Sequence, residues 1–128
     1  VDGVPVVFQC SFLAPELREL VRDYTPEQSL YALIRERTGR VPVSASETLR
    51  AHSLPGHVAA VLDLPENAPG WLSRRITLDA AGRPLLFDEA HFAAERVELR
   101  VERRGAQATL HYAVVTGPPG TRRPAPAP

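Results

Sequence analysis

The sequence contains one cysteine, Cys10, and no methionine among its 128 residues. A single cysteine excludes an intramolecular disulfide, and without a CxxC pair the chain cannot form a thiolate zinc centre. One thiol also favours a reducing compartment, so we expect a cytoplasmic location. No apolar run approaches the roughly 20 residues that cross a bilayer, and no signal peptide is visible. We therefore expect no membrane contact.

Acidic and basic side chains are equally numerous, 15 of each, so the formal net charge is zero. Because phosphate binding needs a basic excess, the equal numbers of acidic and basic residues argue against DNA or RNA binding by this chain alone. The hydrophobic fraction of 44% is ordinary for a globular protein, and the length suits one domain. Since the chain lacks methionine and starts with a turn that leads into a strand, VDGVPVVFQ, we expect a fragment with a segment missing upstream.

Side chains that bind metals or act as nucleophiles are few and scattered. The sequence has no P-loop and no GxGxxG motif. His52 and His57 fall at a strand end and a helix start, and we interpret them as solvated residues. His91 and His111 lie on separate predicted strands, and Cys10 is interpreted as a small buried hydrophobe. We predict no catalytic residue, no metal and no cofactor.

Hydrophobic periodicity predicts an α+β fold in which helices flank an antiparallel sheet. The side chains predicted to face inward include Leu17, Val21, Val61 and Val101. Residues 117–128 form a proline-rich tail that is predicted to be disordered, which leaves residues 1–116 as the folded domain. In chain order, the predicted elements are strand VPVVFQC, helix LAPELRELVRD, helix TPEQSLYALIRERTG, strand VPVSASETLRAHS, helix GHVAAVLDL, and strands WLSRRITL, RPLLFDEAHF, ERVELRVERR and ATLHYAVVT.

The second helix, predicted over residues 25–39, has two possible starts. Thr25 can cap a helix that begins at Pro26, with Gln28 completing a capping box. Ser29 can instead cap a helix that begins at Leu30, in which case its hydroxyl is occupied by the backbone. The pattern leaves both starts open.

Two arginine pairs, residues 74–75 and 103–104, lie on predicted strands. Because neighbouring strand residues point to opposite faces, each pair presents one arginine to a face. We interpret these arginines as solvated charges.

The order of motifs resembles the UTRA domain, the effector-binding half of HutC-type GntR transcriptional regulators. The resemblance covers roughly residues 2–104. Each motif is weak alone, but six in the right order and spacing make a strong signal. The motifs are DGVPVVFQCSFLAPEL, QSLYALIRERTG, ASETLRA, LDLPENAP, RRITLDAAGRPLLFDEAHF and ERVEL.

The resemblance implies a chorismate lyase-like fold and a non-catalytic sensor of a small metabolite. It implies a bacterial homodimer that reaches DNA only through a winged helix-turn-helix domain upstream. A chorismate lyase-like enzyme on the same fold is the alternative, with Arg50, residues 74–75 and Glu89 as its candidate groups. A dimerisation module without a ligand is the third hypothesis.

The resemblance also implies a set of ligand-binding residues, several of which depart from the family pattern. Gln9 stands where relatives carry an acid, Leu86 where they carry a glutamate, and Phe92 where they carry a tyrosine. These changes remove charge and hydrogen-bonding groups, so we predict an effector less polar than an amino-sugar phosphate. The implied site residues are Gln9, Ser11, Ser29, Tyr31, Arg50, Leu86, Asp88 and Phe92.

Several of these residues also have an alternative interpretation as purely structural residues. Tyr31 also fits a boundary aromatic at helical spacing, and Leu86 and Phe92 also fit a plain core. Asp88 also fits a surface charge, and Arg50 a salt bridge or solvent. Removal of the Ser29 hydroxyl is predicted to weaken effector binding without unfolding the domain.

Overall fold

The computed structural model describes residues 3–115; the tail predicted over residues 117–128 lies outside them. The α+β architecture predicted from periodicity is confirmed. A 3-10 helix covers Pro15–Asp23, and the two α-helices are α1, Leu30–Thr38, and α2, Gly56–Val61. The strands are β1, Val7–Leu13; β2, Ser44–Ser53; β3, Pro69–Leu78; β4, Pro84–Ala93; β5, Val97–Arg104; and β6, Gln107–Val114.

The strands form two sheets. One is four-stranded with the order β1-β4-β3-β2, and the other is an antiparallel ribbon of β5 and β6. The described chain divides into two compact units: residues 3–8, 51–71 and 91–115 form unit 1, and residues 9–50 and 72–90 form unit 2. No helix within residues 3–115 has the length and apolar character needed to cross a membrane.

The core of unit 2 lies beneath the 3-10 helix and α1. Leu17 and Leu20 of the 3-10 helix pack with Leu33 and Ile34 of α1, and Leu85 and Leu86 of β4 complete the cluster. Leu17 is buried as predicted, but Val21 is 59% exposed. The helix is 3-10 rather than α, with three residues per turn, so residues 17 and 20 share a face that residue 21 leaves.

Helix α1 begins at Leu30 and not at Pro26, so the start at Thr25 is wrong. The Ala32 backbone N–H donates to Ser29 Oγ at 3.3 Å, which makes Ser29 the N-cap. Residues 25–28 form a turn instead, in which the Gln28 N–H donates to the Thr25 carbonyl at 3.0 Å. Gly39 ends the helix as predicted, with a left-handed φ of 72°.

Replacing Ser29 by alanine is expected to lower the free energy of unfolding by about 1 kcal/mol, because the cap hydrogen bond is lost. Urea unfolding followed by circular dichroism measures the change. Thr25→Ala is the matched control and is expected to change stability little, since its hydroxyl does not cap α1. Equal losses in the two variants would show that the cap has been assigned to the wrong residue.

Unit 1 has its own core around α2. Leu54, Val58, Ala59, Leu62 and Ala93 are buried together. Val61, predicted to be buried with them, is 55% exposed. Helix α2 spans only six residues, and residue 61 lies about 300° around the helix from residue 58, on the outer edge of the buried stripe.

The β5–β6 ribbon confirms a strand in the segment ATLHYAVVT, since β6 covers Gln107–Val114, and it corrects one predicted orientation. Leu99 pairs with Tyr112 and Val101 with Leu110 across the ribbon. Val101, predicted to face inward, is 51% exposed. Alternation does place these four side chains on one face of the ribbon, but nothing within the described residues buries Val101 there.

Asp79 organises the β3–β4 hairpin turn. Its Oδ1 accepts the backbone N–H groups of Ala81 and Arg83, each at 2.9 Å, and its Oδ2 accepts Arg40 Nε at 2.8 Å. The hydrogen bond from the Arg83 backbone is the main cause that lowers the pKa of Asp79 from 3.8 to about 2, with further contributions from Arg40 and Ala81.

Asp79 is therefore expected to make the domain sensitive to acid. A carboxyl group with a lowered pKa stabilises the fold above its unfolded pKa, and this contribution disappears as the pH falls from about 4 to about 2. Urea unfolding across this range should show a shallower decline for Asp79→Asn than for the wild type. Asp63→Asn serves as a control at an exposed position. Identical pH profiles for Asp79→Asn and the wild type would contradict the role given to Asp79.

Candidate functional site

A row of polar side chains crosses the sheet within unit 2, with Asp88 of β4 at its centre. Asp88 Oδ1 accepts the Ser11 hydroxyl at 2.5 Å and the Gln9 Nε2 amide at 3.3 Å. Asp88 Oδ2 accepts Arg75 Nη2 at 3.2 Å. Asp88 itself is only 4% exposed. The carboxylate thus gathers donors from β1 on one side and β3 on the other.

Strand alternation explains why these residues meet. Gln9 and Ser11 are two apart on β1, so their side chains share a face, and β1 lies next to β4. Ser73 and Arg75 are likewise two apart on β3, the next strand. The Ser73 hydroxyl donates to Glu47 of β2 at 2.5 Å, which extends the polar row to the fourth strand.

Arg75 is the one cation in this row. Burial opposes its positive charge, but the hydrogen bond that Arg75 donates to Asp88 and the electrostatic effects of Asp88, Tyr31 and Glu47 outweigh burial and raise the pKa of Arg75. The guanidinium group therefore stays charged and held in place. Its interpretation as a solvated charge is wrong, because Arg75 is bound to a buried carboxylate.

Arg74, its neighbour, does lie at the surface. Its Nε donates to Glu89 Oε2 at 3.1 Å, and its side chain is 51% exposed. The two adjacent arginines thus point to opposite faces of β3, as strand geometry requires.

A cavity of about 270 Å³ opens beside Arg75. Its wall consists of Tyr31 of α1, residues 42–45 at the start of β2, and Arg75 and Thr77 of β3. Most of the wall is apolar, since Pro42, Val43 and Ala45 contribute to it, while Ser44, Tyr31 and Arg75 supply polar atoms. A mainly apolar concave surface with a few converging polar groups is typical of small-molecule sites.

The structure brings some of the predicted site residues together and separates others. Gln9, Ser11 and Asp88 form one hydrogen-bonded group, and Tyr31 lines the cavity beside Arg75. Ser29 lies at a different cavity, of about 230 Å³, and its hydroxyl is engaged as the α1 cap.

The remaining three predicted site residues have other surroundings. Leu86 is 4% exposed and belongs to the apolar core of unit 2. Phe92, in unit 1, stacks on Tyr112 of β6 with ring centroids 4.5 Å apart and planes 8° apart. Arg50 is an exposed residue of β2.

A second, apolar groove of about 250 Å³ also lies in unit 2. Phe12 of β1 and Phe87 of β4 face each other there, with ring centroids 6.0 Å apart, and Ile76 of β3 is 45% exposed beside them. The groove exposes almost no polar surface, so it offers a ligand no directional hydrogen bonds.

Two histidines that are distant in sequence meet in unit 1. His91 Nδ1 lies 3.3 Å from His52 Nε2, and Phe8 packs beside His91 and His57. His52 is therefore half-buried rather than a solvated loop residue. Cys10, predicted to be buried, is exposed on β1. Residues 3–115 contain no group of three or more His, Cys, Asp or Glu side chains that could hold a metal ion.

Comparison with known families shows which family the chain belongs to. A family model described as the UTRA domain matches residues 1–98. The chain belongs to the UTRA domain family. The matched region includes β1 to β4, and thus the whole polar row and the cavity beside Arg75.

Solved structures with the same fold include regulators of the GntR family. The effector domain of PhnF from Mycobacterium smegmatis is 27% identical, with a TM-score of 0.62, and the match covers 74% of this chain and 59% of that one. A GntR-family transcriptional regulator from Enterococcus faecalis V583 has a TM-score of 0.70 at 19% identity, covering 80% and 74%. The C-terminal domain of YurK from Bacillus subtilis has a TM-score of 0.69 at 12% identity, covering 73% and 66%. This UTRA chain therefore spans about three fifths of the PhnF effector domain.

The sequence did not assign four residues that shape this site of the UTRA domain to an effector site. Thr77 lies in the motif RRITLDAAG and Glu47 in ASETLRA, so the motifs contained them without indicating a role, whereas Arg75 was named only as one of an arginine pair and as a candidate group of the enzyme alternative. Ser73 precedes the arginine pair. Alternation along β3 places residues 73, 75 and 77 on one face, which was the available signal for grouping them.

Proposed function

We propose that this chain is the effector-binding and dimerisation domain of a bacterial, cytoplasmic GntR-family regulator of the HutC type. A small metabolite would bind in the unit 2 cavity beside Arg75 and control DNA binding by a separate winged helix-turn-helix domain. The observation that carries the proposal is the cavity itself, which joins an apolar wall to a charged residue fixed by Asp88. Its occurrence within a UTRA family match supports the same function.

The polar row suits a sensor because it is already assembled. Asp88 fixes Arg75, and Ser11 and Gln9 fix Asp88, so the ligand-facing side chain loses little freedom when a ligand binds. A ligand shifts a regulator between states only as far as its affinities for those states differ. The polar row reaches all four strands of the sheet, so the sheet can transmit the ligand's preference for one state.

The ribbon of β5 and β6 supports the proposed homodimer. Leu99, Val101, Leu110 and Tyr112 share one face, and Val101 and Tyr112 are 51% and 36% exposed. A two-stranded ribbon is marginally stable alone, so an apolar face of this kind gains from a partner. Sedimentation equilibrium on this domain should return twice the chain mass.

The enzyme alternative has less support. A chorismate lyase-like site needs arginines that are available to hold a dicarboxylate. Arg74 is paired with Glu89 and Arg75 with Asp88, so the chain's own carboxylates already engage both. Incubation with chorismate, followed by detection of 4-hydroxybenzoate, distinguishes the two functions, and clear turnover would favour the enzyme.

A thermal-shift screen of this domain against small metabolites tests the sensor function. A ligand that binds the folded state raises the melting temperature progressively with concentration. The hit is then titrated into Tyr31→Ala, which removes the ring from the cavity wall, and into Tyr24→Ala, an exposed tyrosine outside it. We expect weaker binding only for Tyr31→Ala. Equal affinity in the two variants would show that the effector binds at another site.

A further inference from the structure

Two histidine side chains meet in unit 1 although 39 residues separate them in sequence. His91 Nδ1 lies 3.3 Å from His52 Nε2, and the rings are 5.1 Å apart between centroids with their planes 32° apart. In the sheet, β3 lies between β2 and β4, so the two side chains reach each other across a strand. The pair therefore exists only in the fold, and neither histidine indicates the other in the sequence.

The separation of the two nitrogens matches that of two ligands of one metal ion. An imidazole nitrogen binds Zn²⁺ at about 2.0–2.1 Å, so two such nitrogens at the tetrahedral angle lie about 3.4 Å apart. The observed distance is 3.3 Å. Each lone pair must turn by about 35° from the line between the nitrogens to point at the ion, a change that side-chain rotation can supply.

The hydrogen between the two rings does not prevent metal binding. A neutral imidazole carries one hydrogen, on either of its two ring nitrogens. In the pair, one of the facing nitrogens donates its hydrogen and the other accepts it. When the donating ring carries that hydrogen on its other nitrogen instead, both rings stay neutral and both facing nitrogens present a lone pair to an ion.

The surroundings hold the rings and leave a route for an ion. Phe8 packs against His91 with ring centroids 6.3 Å apart, and Phe8 itself packs against the buried cluster of unit 1. His91 is 9% exposed, whereas His52 is half-buried, so an ion reaches the pair from the His52 side. Zinc, copper and nickel accept imidazole ligands, whereas magnesium and calcium prefer oxygen.

We propose that His52 Nε2 and His91 Nδ1 bind one divalent transition-metal ion, zinc or one of similar ligand preference such as nickel, with water in the remaining positions. Two protein ligands agree with the finding that residues 3–115 contain no group of three or more such side chains. Because structural zinc sites use four protein ligands, binding here should be much weaker, with a Kd of about 1–100 µM. This site goes beyond the sensor function and does not depend on it.

Zinc titration into the full chain, without an affinity tag, tests the proposal. We expect calorimetry to return about one ion per chain, and about 1 mM Zn²⁺ to raise the melting temperature by about 5 °C or more, while Mg²⁺ leaves it unchanged. His52→Asn removes one ligand and should weaken zinc binding about tenfold or more. The matched control is His111→Asn, at an exposed histidine of β6, which should bind zinc as the wild type does. Equal affinity in His52→Asn and the wild type, or no zinc binding below about 1 mM, would overturn the proposal.

NMR of the imidazole nitrogens in the wild type identifies the ligands without relying on the stability of a variant. Long-range proton–nitrogen spectra resolve the two nitrogens of each ring. Zinc should shift the signals of His52 Nε2 and His91 Nδ1 most, and those of His57 and His111 little. Largest changes at His57 or His111 would show that zinc binds elsewhere and would overturn the assignment.

Discussion

Replacing Asp88 by alanine is expected to lower the free energy of unfolding by roughly 2 kcal/mol or more. The variant leaves Arg75 without its carboxylate and removes the acceptor of Ser11 and Gln9. Breaking a fully buried ion pair costs more, but the Arg75 side chain is 37% exposed, so solvent offsets part of the loss. Urea unfolding of the purified domain measures the change.

The matched control for Asp88 is its neighbour on β4. Glu89→Ala removes a carboxylate that pairs with the half-exposed Arg74, so we expect a loss below about 1 kcal/mol. Asp88→Asn keeps the shape and one acceptor oxygen, so its free energy of unfolding should lie between those of the wild type and Asp88→Ala. If Asp88→Ala costs no more than Glu89→Ala, Asp88 does not organise the polar row.

Replacing Arg96 by methionine is expected to destabilise unit 1 by about 2 to 3 kcal/mol. Arg96 Nη1 donates to the carbonyl oxygens of Pro5 at 2.7 Å and Leu62 at 2.6 Å, so one guanidinium joins two segments that are distant in sequence. Charged donors make stronger hydrogen bonds than neutral ones, and both carbonyls lose their partner in the variant. Methionine retains much of the apolar stem and isolates the loss of the donors.

The control for Arg96 is Arg100 of β5. Arg100→Met removes an arginine whose side chain is 47% exposed and which pairs with Glu98 at 3.6 Å. We expect it to change stability by less than about 0.5 kcal/mol. Hydrogen exchange adds a local measurement, because the amides around residues 5 and 62 should lose protection in Arg96→Met alone. Unchanged protection there would mean that Arg96 does not hold these segments.

The fold was predictable because its elements obey local rules. The β3–β4 hairpin follows from the turn DAAG between two β-rich runs, and the end of α1 follows from Gly39. The start of α1 was not predictable, since Thr25 and Ser29 are both good caps and only the fold selects between them. Val61 and Val101 fit their periodic patterns, but a pattern does not say where the buried stripe ends.

The candidate site was harder to predict because it depends on contacts between distant strands. Asp88 lies 77 residues from Ser11 in sequence, and only the pairing of β1 with β4 brings them together. The resemblance placed Tyr31 and Asp88 at the effector site but named Arg75 only for the enzyme alternative; the position of Arg75 at this site follows from its hydrogen bond to Asp88. Leu86 was assigned to the site because it occupies a ligand-binding position of the family, but in this chain its apolar side chain belongs to the core.

Amide and side-chain chemical shifts, recorded while the ligand from the metabolite screen is titrated into the labelled domain, test the central claim most directly. We predict that the largest changes fall on Tyr31, residues 42–45, Arg75 and Thr77, the residues that line one cavity. Saturable changes confined to the groove of Phe12 and Phe87, with the Arg75 and Thr77 signals unmoved, would contradict the account.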